Sequence, residues 1–98
     1  MNNTGAKDDK AKLRLSLVPK GIVEAVAVIR EYGTKKYGNP DNWRTVETQR
    51  FHDAALRHME AAREDFTAID PESGYPHLWH VACNLAFIIH QTWSAPKL

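Results

Sequence analysis

The sequence predicts an all-α fold: a compact three-helix domain over residues 20–98 behind an extended N-terminal arm of residues 1–19, completed by association into a homo-oligomer. Three observations predict it. Apolar residues recur at helical spacing in three separate blocks. Loops rich in Pro, Gly, Asn and Asp divide those blocks. The last block is apolar around most of its circumference, which is more than a three-helix chain can cover by itself, so a second copy is the expected cover.

The arm is polar and Lys-rich, then Leu13, Leu15 and Leu17 alternate with Arg14 and Ser16 until Pro19. It reads as a segment laid across the domain, with a short strand as the rival. Pro19 suits the first turn of a helix. That helix carries Ile22, Val26 and Ile29 at helical spacing, with Gly33 as its expected stop. Thr34–Thr45, with Gly38, Asn39, Pro40, Asp41 and Asn42, reads as a loop. A second helix is expected from Val46 to Phe66, with Phe51, Ala55, Met59, Ala62 and Phe66 on its apolar face. Asp70–Pro76 is a second structured loop. Pro76 opens a third helix, His77 to Trp93, carrying Leu78, Val81, Ala82, Leu85, Ile88 and Ile89.

Ninety-eight residues amount to one domain. A chain this short buries roughly 60–65% of its unfolded surface, so a site at a subunit interface is favoured over a deep internal cavity. Thirteen Lys+Arg against twelve Asp+Glu leave a net charge of +1, which argues against a domain that tracks nucleic acid. The single cysteine, Cys83, cannot form an intrachain disulfide, and a reducing cytosol is its simplest setting. The N-terminus lacks a secretory apolar stretch, and Val81–Ile89 is about half the length of a membrane helix. A cytoplasmic protein is expected, with neither membrane nor nucleic acid as partner.

Four constellations carry chemistry. On the third helix His77, His80, Asn84 and Gln91 share one sector of an otherwise apolar surface. Each must find a partner, since an unsatisfied buried polar group costs roughly 1–3 kcal/mol. They form either a binding site or a set of histidines satisfied by backbone and loop carboxylates. The loop Lys35–Arg44 packs basic, aromatic and amide groups together: Lys36 could hold phosphate oxygens and Tyr37 or Trp43 could stack on a base, or Trp43 could simply plug the bundle end. Arg57, beside His58, could pair with Asp53 one turn earlier or face an anion. Lys7, Lys10, Lys12 and Arg14 read as a basic tail or a phosphate clamp. His-x-x-His alone is a weak metal signal. No nucleophile elbow, P-loop, dinucleotide fingerprint or Cys-x-x-Cys is present, and Cys83 reads as core.

Taken in order, G-A-K-D-D-K-A-K-L-R at Gly5–Arg14, L-V-P at Leu17–Pro19, Y-G-T-K-K-Y-G at Tyr32–Gly38, N-W-R at Asn42–Arg44, A-A-L-R-H at Ala54–His58 and D-P-E-S-G-Y-P-H-L-W-H-V-A-C-N at Asp70–Asn84 form a joint pattern. This pattern resembles the dATP/dGTP diphosphohydrolase N-terminal domain family, common in phages and prophages. The likeness runs from about residue 5 to residue 90, and no C-terminal extension is expected from the residues that follow it. Asp8, Ala11 and Leu13 depart from the family's usual aromatic, glycine and proline. The resemblance implies a small helical domain associated with purine deoxynucleotides, in the cytoplasm of a bacterial host, and a reaction yielding a monophosphate and pyrophosphate. It carries family positions onto Lys7, Asp9, Lys12 and Arg14, onto Lys36, Tyr37, Asn42 and Trp43, onto Arg57, His58, His77, His80 and Asn84, and onto Asp70, Glu72, Ser73 and Gly74.

Cleavage between phosphates normally needs Mg2+ or Mn2+ on carboxylates. The paired E-x-x-E and E-x-x-D motifs of helical pyrophosphohydrolases are absent, leaving Asp70 and Glu72 as candidate metal ligands. The cationic and aromatic side is richer: Lys7, Lys12, Arg14, Lys36, Tyr37, Asn42, Trp43, Arg57, His58, His77, His80 and Asn84 are the candidate nucleotide-binding residues. The leading expectation is capture of a purine nucleotide, dATP/dGTP or a cyclic nucleotide immune signal, in which turnover is not required. The competing one is a metal-dependent diphosphohydrolase. A third is a subunit whose histidine-rich face only packs.

Overall fold

A computed structural model describes residues 12–94. Within them lie three helices, α1 (Lys20–Tyr37), α2 (Thr48–Ala61) and α3 (His77–Gln91), and no strand beyond one isolated antiparallel bridge, Ile69 with Pro76. The all-α reading holds. α3 is the central element: α1 and α2 both pack on it and neither packs substantially on the other.

α2 and α3 run antiparallel, as their pairs show. The Thr48 hydroxyl donates to Gln91 Oε1 (2.7 Å), Phe51 meets Phe87 (ring centroids 4.7 Å) and His58 meets His80 (4.5 Å). The buried set is small-bodied: Ala25 and Ile29 from α1, Ala55 and Ala62 from the α2 side, Val81 and Cys83 from α3. Alanines at the crossings let backbones approach closely but contribute little apolar area. Leu85 and Ile89 of α3 are accordingly exposed, so the helix is not covered on every side as its composition led one to expect.

Several expected boundaries move. α1 passes through Gly33 and stops at Gly38, whose φ of 73° is the left-handed geometry that favours glycine and whose N–H donates to Thr34 O. Thr34–Tyr37 is therefore helix, and Asn42–Thr45 forms a 3-10 turn. Ile22 stays half exposed; Ile29 carries the contact instead. Pro19 and Pro76 stand at the N-cap, one residue before the first helical turn. α2 begins at Thr48 and ends before Phe66, because Ala62 closes it and Asp65 Oδ1 accepts the N–H and hydroxyl of Thr67, turning the chain away. Met59 and Phe66 are exposed as a result. α3 stops at Gln91, leaving Trp93 exposed. Leu15–Leu17 is a 3-10 turn and not the rival strand; with no neighbouring edge to pair with among the described residues, the alternating leucines stay exposed.

Gln91 closes the far end of the bundle. Its Nε2 donates to Val46 O (2.9 Å) and, more weakly, to Trp43 O (3.5 Å), while its Oε1 takes the Thr48 hydroxyl. Gln91→Met keeps the side chain's bulk and removes all three bonds. It is expected to lower the unfolding free energy by about 1–3 kcal/mol, read from urea denaturation.

Candidate functional site

Because α1 and α2 flank α3 without closing on each other, a cleft of about 590 Å3 lies between them. Its floor is α3, through His80, Cys83, Asn84 and Phe87. α1 supplies Ile29, Arg30, Gly33 and Lys36; α2 supplies Arg50, Phe51, Ala54, Arg57 and His58. Trp43 with Asn39 and Asn42 stands at one end, Asp70 and Glu72 at the other. His80 and Phe87, seven residues apart on one helix, place those ends roughly 10 Å apart.

The Asp70 end is built by the 70–76 loop. Gly74, at φ 79°, turns the chain so that its N–H donates to Asp70 O, and the Asp70 N–H donates to Tyr75 O. The Asp70 carboxylate then accepts the N–H of Glu72 (3.3 Å) and of Ser73 (3.2 Å) and lies 3.3 Å from His80 Nε2. Burial alone would raise the Asp70 pKa; hydrogen bonds from Ser73 and Glu72 and the His80 charge outweigh it and hold the group below its ordinary value. Ser73 Oγ accepts the Tyr75 N–H and sits 2.7 Å from His80 Nε2. Tyr32 approaches the His80 ring edge-on.

Three imidazoles meet here. His58 stacks flat on His80, and its Nδ1 lies 2.8 Å from His77 Nδ1. One of those nitrogens donates and the other accepts, so at least one of the pair carries its proton on Nδ1. Burial, then the neighbouring imidazoles, lower the His58 pKa. His80 is lowered by burial too, against the opposing pull of Asp70. Both are therefore predominantly neutral at pH 7, and protonating either one costs more than it would for a free imidazole.

Lys36 Nζ donates to Glu72 Oε2 at 2.5 Å, and this hydrogen bond raises the Lys36 pKa. At the other end Arg30 Nη2 donates to Pro40 O (2.6 Å) with its guanidinium over the Trp43 and Phe87 rings. Trp43 stacks on Phe87 (4.8 Å), and its buried Nε1 has no hydrogen-bond partner among the described residues.

Of the residues read from sequence, Lys36, Tyr37, Asn42, Trp43, Arg57, His58, His80, Asn84, Asp70 and Glu72 line this one cleft. His77 is set back and reaches it through His58. Lys12 and Arg14 are exposed and do not line it; Lys7 and Asp9 lie outside the described residues. Gln91, placed by angle beside the histidines, belongs to the structural tie at the other end. Arg57 makes no ion pair with Asp53 among the described residues; Asp53 accepts from Gln49 instead. Arg30, Arg50, Tyr32 and Phe87 were missed. Arg50 lies two helical turns before Arg57, a spacing that could have found it. Cys83 is buried, its thiol pushed up to about 11 by burial, which agrees with a core role.

The carboxylates do not by themselves fit a divalent cation. Among the described residues Asp70 and Glu72 are the only acids on the cleft wall, and both are engaged, by N–H groups and by Lys36. Mg2+ takes six oxygens in near-octahedral geometry, and among the described residues no three His, Cys, Asp or Glu side chains are grouped for a metal.

The family model for the dATP/dGTP diphosphohydrolase N-terminal region matches residues 2–98. The chain belongs to this family. A curated relative, a dATP/dGTP diphosphohydrolase of Salmonella phage PMBT28, is 38% identical over 85 residues, covering 87% of this chain. This family member spans only 29% of that relative's length. No solved structure matches it. None of its described helices is long and apolar enough to cross a membrane.

The imidazole cluster sets a pH dependence for this family member. With the folded pKa of His58 and His80 below the ordinary value of about 6.5, the unfolded chain takes up protons that the native state refuses. Stability is complete above that value and falls as pH drops through it. Asp70 adds a separate loss at lower pH, beneath the ordinary carboxylate range. Urea titrations between about pH 7.5 and pH 5 are expected to show declining unfolding free energy; a flat or rising profile contradicts a neutral cluster.

Proposed function

We propose that the cleft captures a purine nucleotide and holds it without turning it over. The observation that carries this reading is the charge pattern of the wall. Arg30, Lys36, Arg50 and Arg57 face it together with His58 and His80, against two carboxylates that are already engaged. Arginine forks and lysine donate charge-assisted bonds to phosphate oxygens. Trp43, Tyr37 and Phe87 supply aromatic surface for a base, and Asn42 and Asn84 supply amides. The cleft volume falls within the roughly 300–1,000 Å3 of small-ligand sites.

Gly33 supports the same reading. It lies inside α1, where glycine costs about 1 kcal/mol relative to alanine. A Cβ there would meet nothing within 4 Å, so no helix packing requires its absence. Its place is on the cleft wall, where any side chain would take up ligand space.

The phage relative supports dATP or dGTP as the nucleotide. A phage setting also suits capture of a cyclic nucleotide immune signal. A homo-oligomer is part of the proposal: Ile22, Val23, Leu85 and Ile89 are exposed apolar groups that a second copy would cover.

The second reading is metal-dependent hydrolysis to the monophosphate and pyrophosphate, favoured by the relative's name. That name belongs to a chain of which this one covers less than a third. Mg2+ or Mn2+ would use Asp70 and Glu72, and groups beyond the described residues would have to complete the ligand set.

The test is direct. Incubated with dATP or dGTP and Mg2+ or Mn2+, the protein is expected to bind and to release no monophosphate; turnover would replace capture with hydrolysis. Arg57→Ala is expected to weaken binding at least about tenfold while changing stability by less than about 0.5 kcal/mol. Gly33→Leu is expected to abolish binding while leaving the fold as stable or about 1 kcal/mol more so. Intact binding in Gly33→Leu would remove the cleft as the site, and parallel losses of folding and binding in Arg57→Ala would favour packing alone.

A further inference from the structure

The contact between Lys36 and Glu72 is out of keeping with the rest of the wall. Arg50 and Arg57 make no ion pair among the described residues, whereas Lys36, on α1, is met by a carboxylate from a loop thirty-six residues away in sequence. That loop is held rigidly by Asp70, which takes the N–H of Glu72 itself. The Glu72 side chain beyond it is largely exposed, at 65%, and free to turn towards solvent. Its carboxylate therefore holds the cation by a flexible arm mounted on a fixed base. Lys36 also lies within reach of the Tyr32 and Tyr37 rings, 6.0 and 5.4 Å from their centroids, so it keeps partners if the carboxylate leaves.

We propose that Glu72 is a built-in competitor for the anion site: its carboxylate occupies Lys36 in the empty cleft, and an incoming phosphate must displace it. This rests on the cleft being the nucleotide site, and it names the contact that regulates it. A carboxylate and a phosphate oxygen make the same kind of charge-assisted bond to an ammonium. The ammonium has three donors, so the competition is electrostatic: a carboxylate already at Lys36 Nζ repels a phosphate brought to the same nitrogen. The affinity of the site is thus set below what its cations would give alone. The exposed pair is weak enough to be exchanged, since ion pairs of this exposure contribute little net stability.

Inorganic tripolyphosphate is the probe, titrated calorimetrically without added metal into the full chain and into Glu72→Gln, Lys36→Met and the double variant. Glu72→Gln is expected to bind about three- to fivefold tighter than the parent. In the Lys36→Met background the same substitution is expected to give less than half that gain. An equal gain in both backgrounds would assign the effect to the general field of one negative charge and overturn competition at Lys36. Weaker binding by Glu72→Gln would make Glu72 a ligand or a loop support and overturn it as well. Binding of tripolyphosphate by no variant would remove the cleft as a phosphate site, and the competitor with it. Thermal unfolding of each variant separates these results from loss of fold.

Discussion

Asp70 joins three parts of the molecule. Its carboxylate takes two backbone N–H groups of its own loop and faces the His80 imidazole of α3. Its backbone groups bond Tyr75 and Gly74, which fixes the entry into α3. By holding the N–H of Glu72 it also aims that residue across the cleft at Lys36 of α1. His80 can be buried on the N-terminal half of α3 because this carboxylate and Ser73 partner its imidazole. Without it, His80 would keep only Ser73 as a partner in a thin core, and the loop would lose the carboxylate that takes its Glu72 and Ser73 N–H groups.

The thinness of that core explains why the chain has a cleft at all. Alanines mark the helix crossings and no large side chain is fully buried among the described residues. α3 receives one helix on each side, and the two flanking helices stay apart. The gap between them is too polar to collapse: arginines and a lysine from both walls repel one another and need solvent or a counter-charge. A ligand bearing several negative charges would relieve this repulsion and bridge α1 to α2, linking occupancy to the rigidity of the whole bundle.

The helices were legible because their apolar spacing is a local property, and so was the 70–74 loop, whose Asp, Ser and Gly each have one geometric use. Boundaries were less so. Gly33 reads as a stop only if packing does not continue past it; here Gly38, with its positive φ, ends the helix four residues after Thr34. His80 and Asn84 stood out as polar residues on an apolar helix, and they do lie on the floor of the cleft. Gln91 shares their angular sector, but fourteen residues from His77 it stands roughly 21 Å further along the axis, and its amide ties down a different turn. Arg50 was signalled only by its two-turn spacing from Arg57, and Arg30 by no pattern at all, because a lone arginine on a helix is uninformative until the facing helix is known. The resemblance carries family positions onto the arm's cations, yet Lys12 and Arg14 stand off the cleft wall.

Trp43 has a consequence of its own. One face of its indole lies on Phe87, and the Arg44 guanidinium is 4.5 Å from the ring centre. Indole fluorescence shifts in wavelength and yield when charge moves beside the ring. Trp79 and Trp93 lie off the cleft wall. The protein therefore carries an intrinsic optical gauge at the mouth of its cleft, readable without any attached dye.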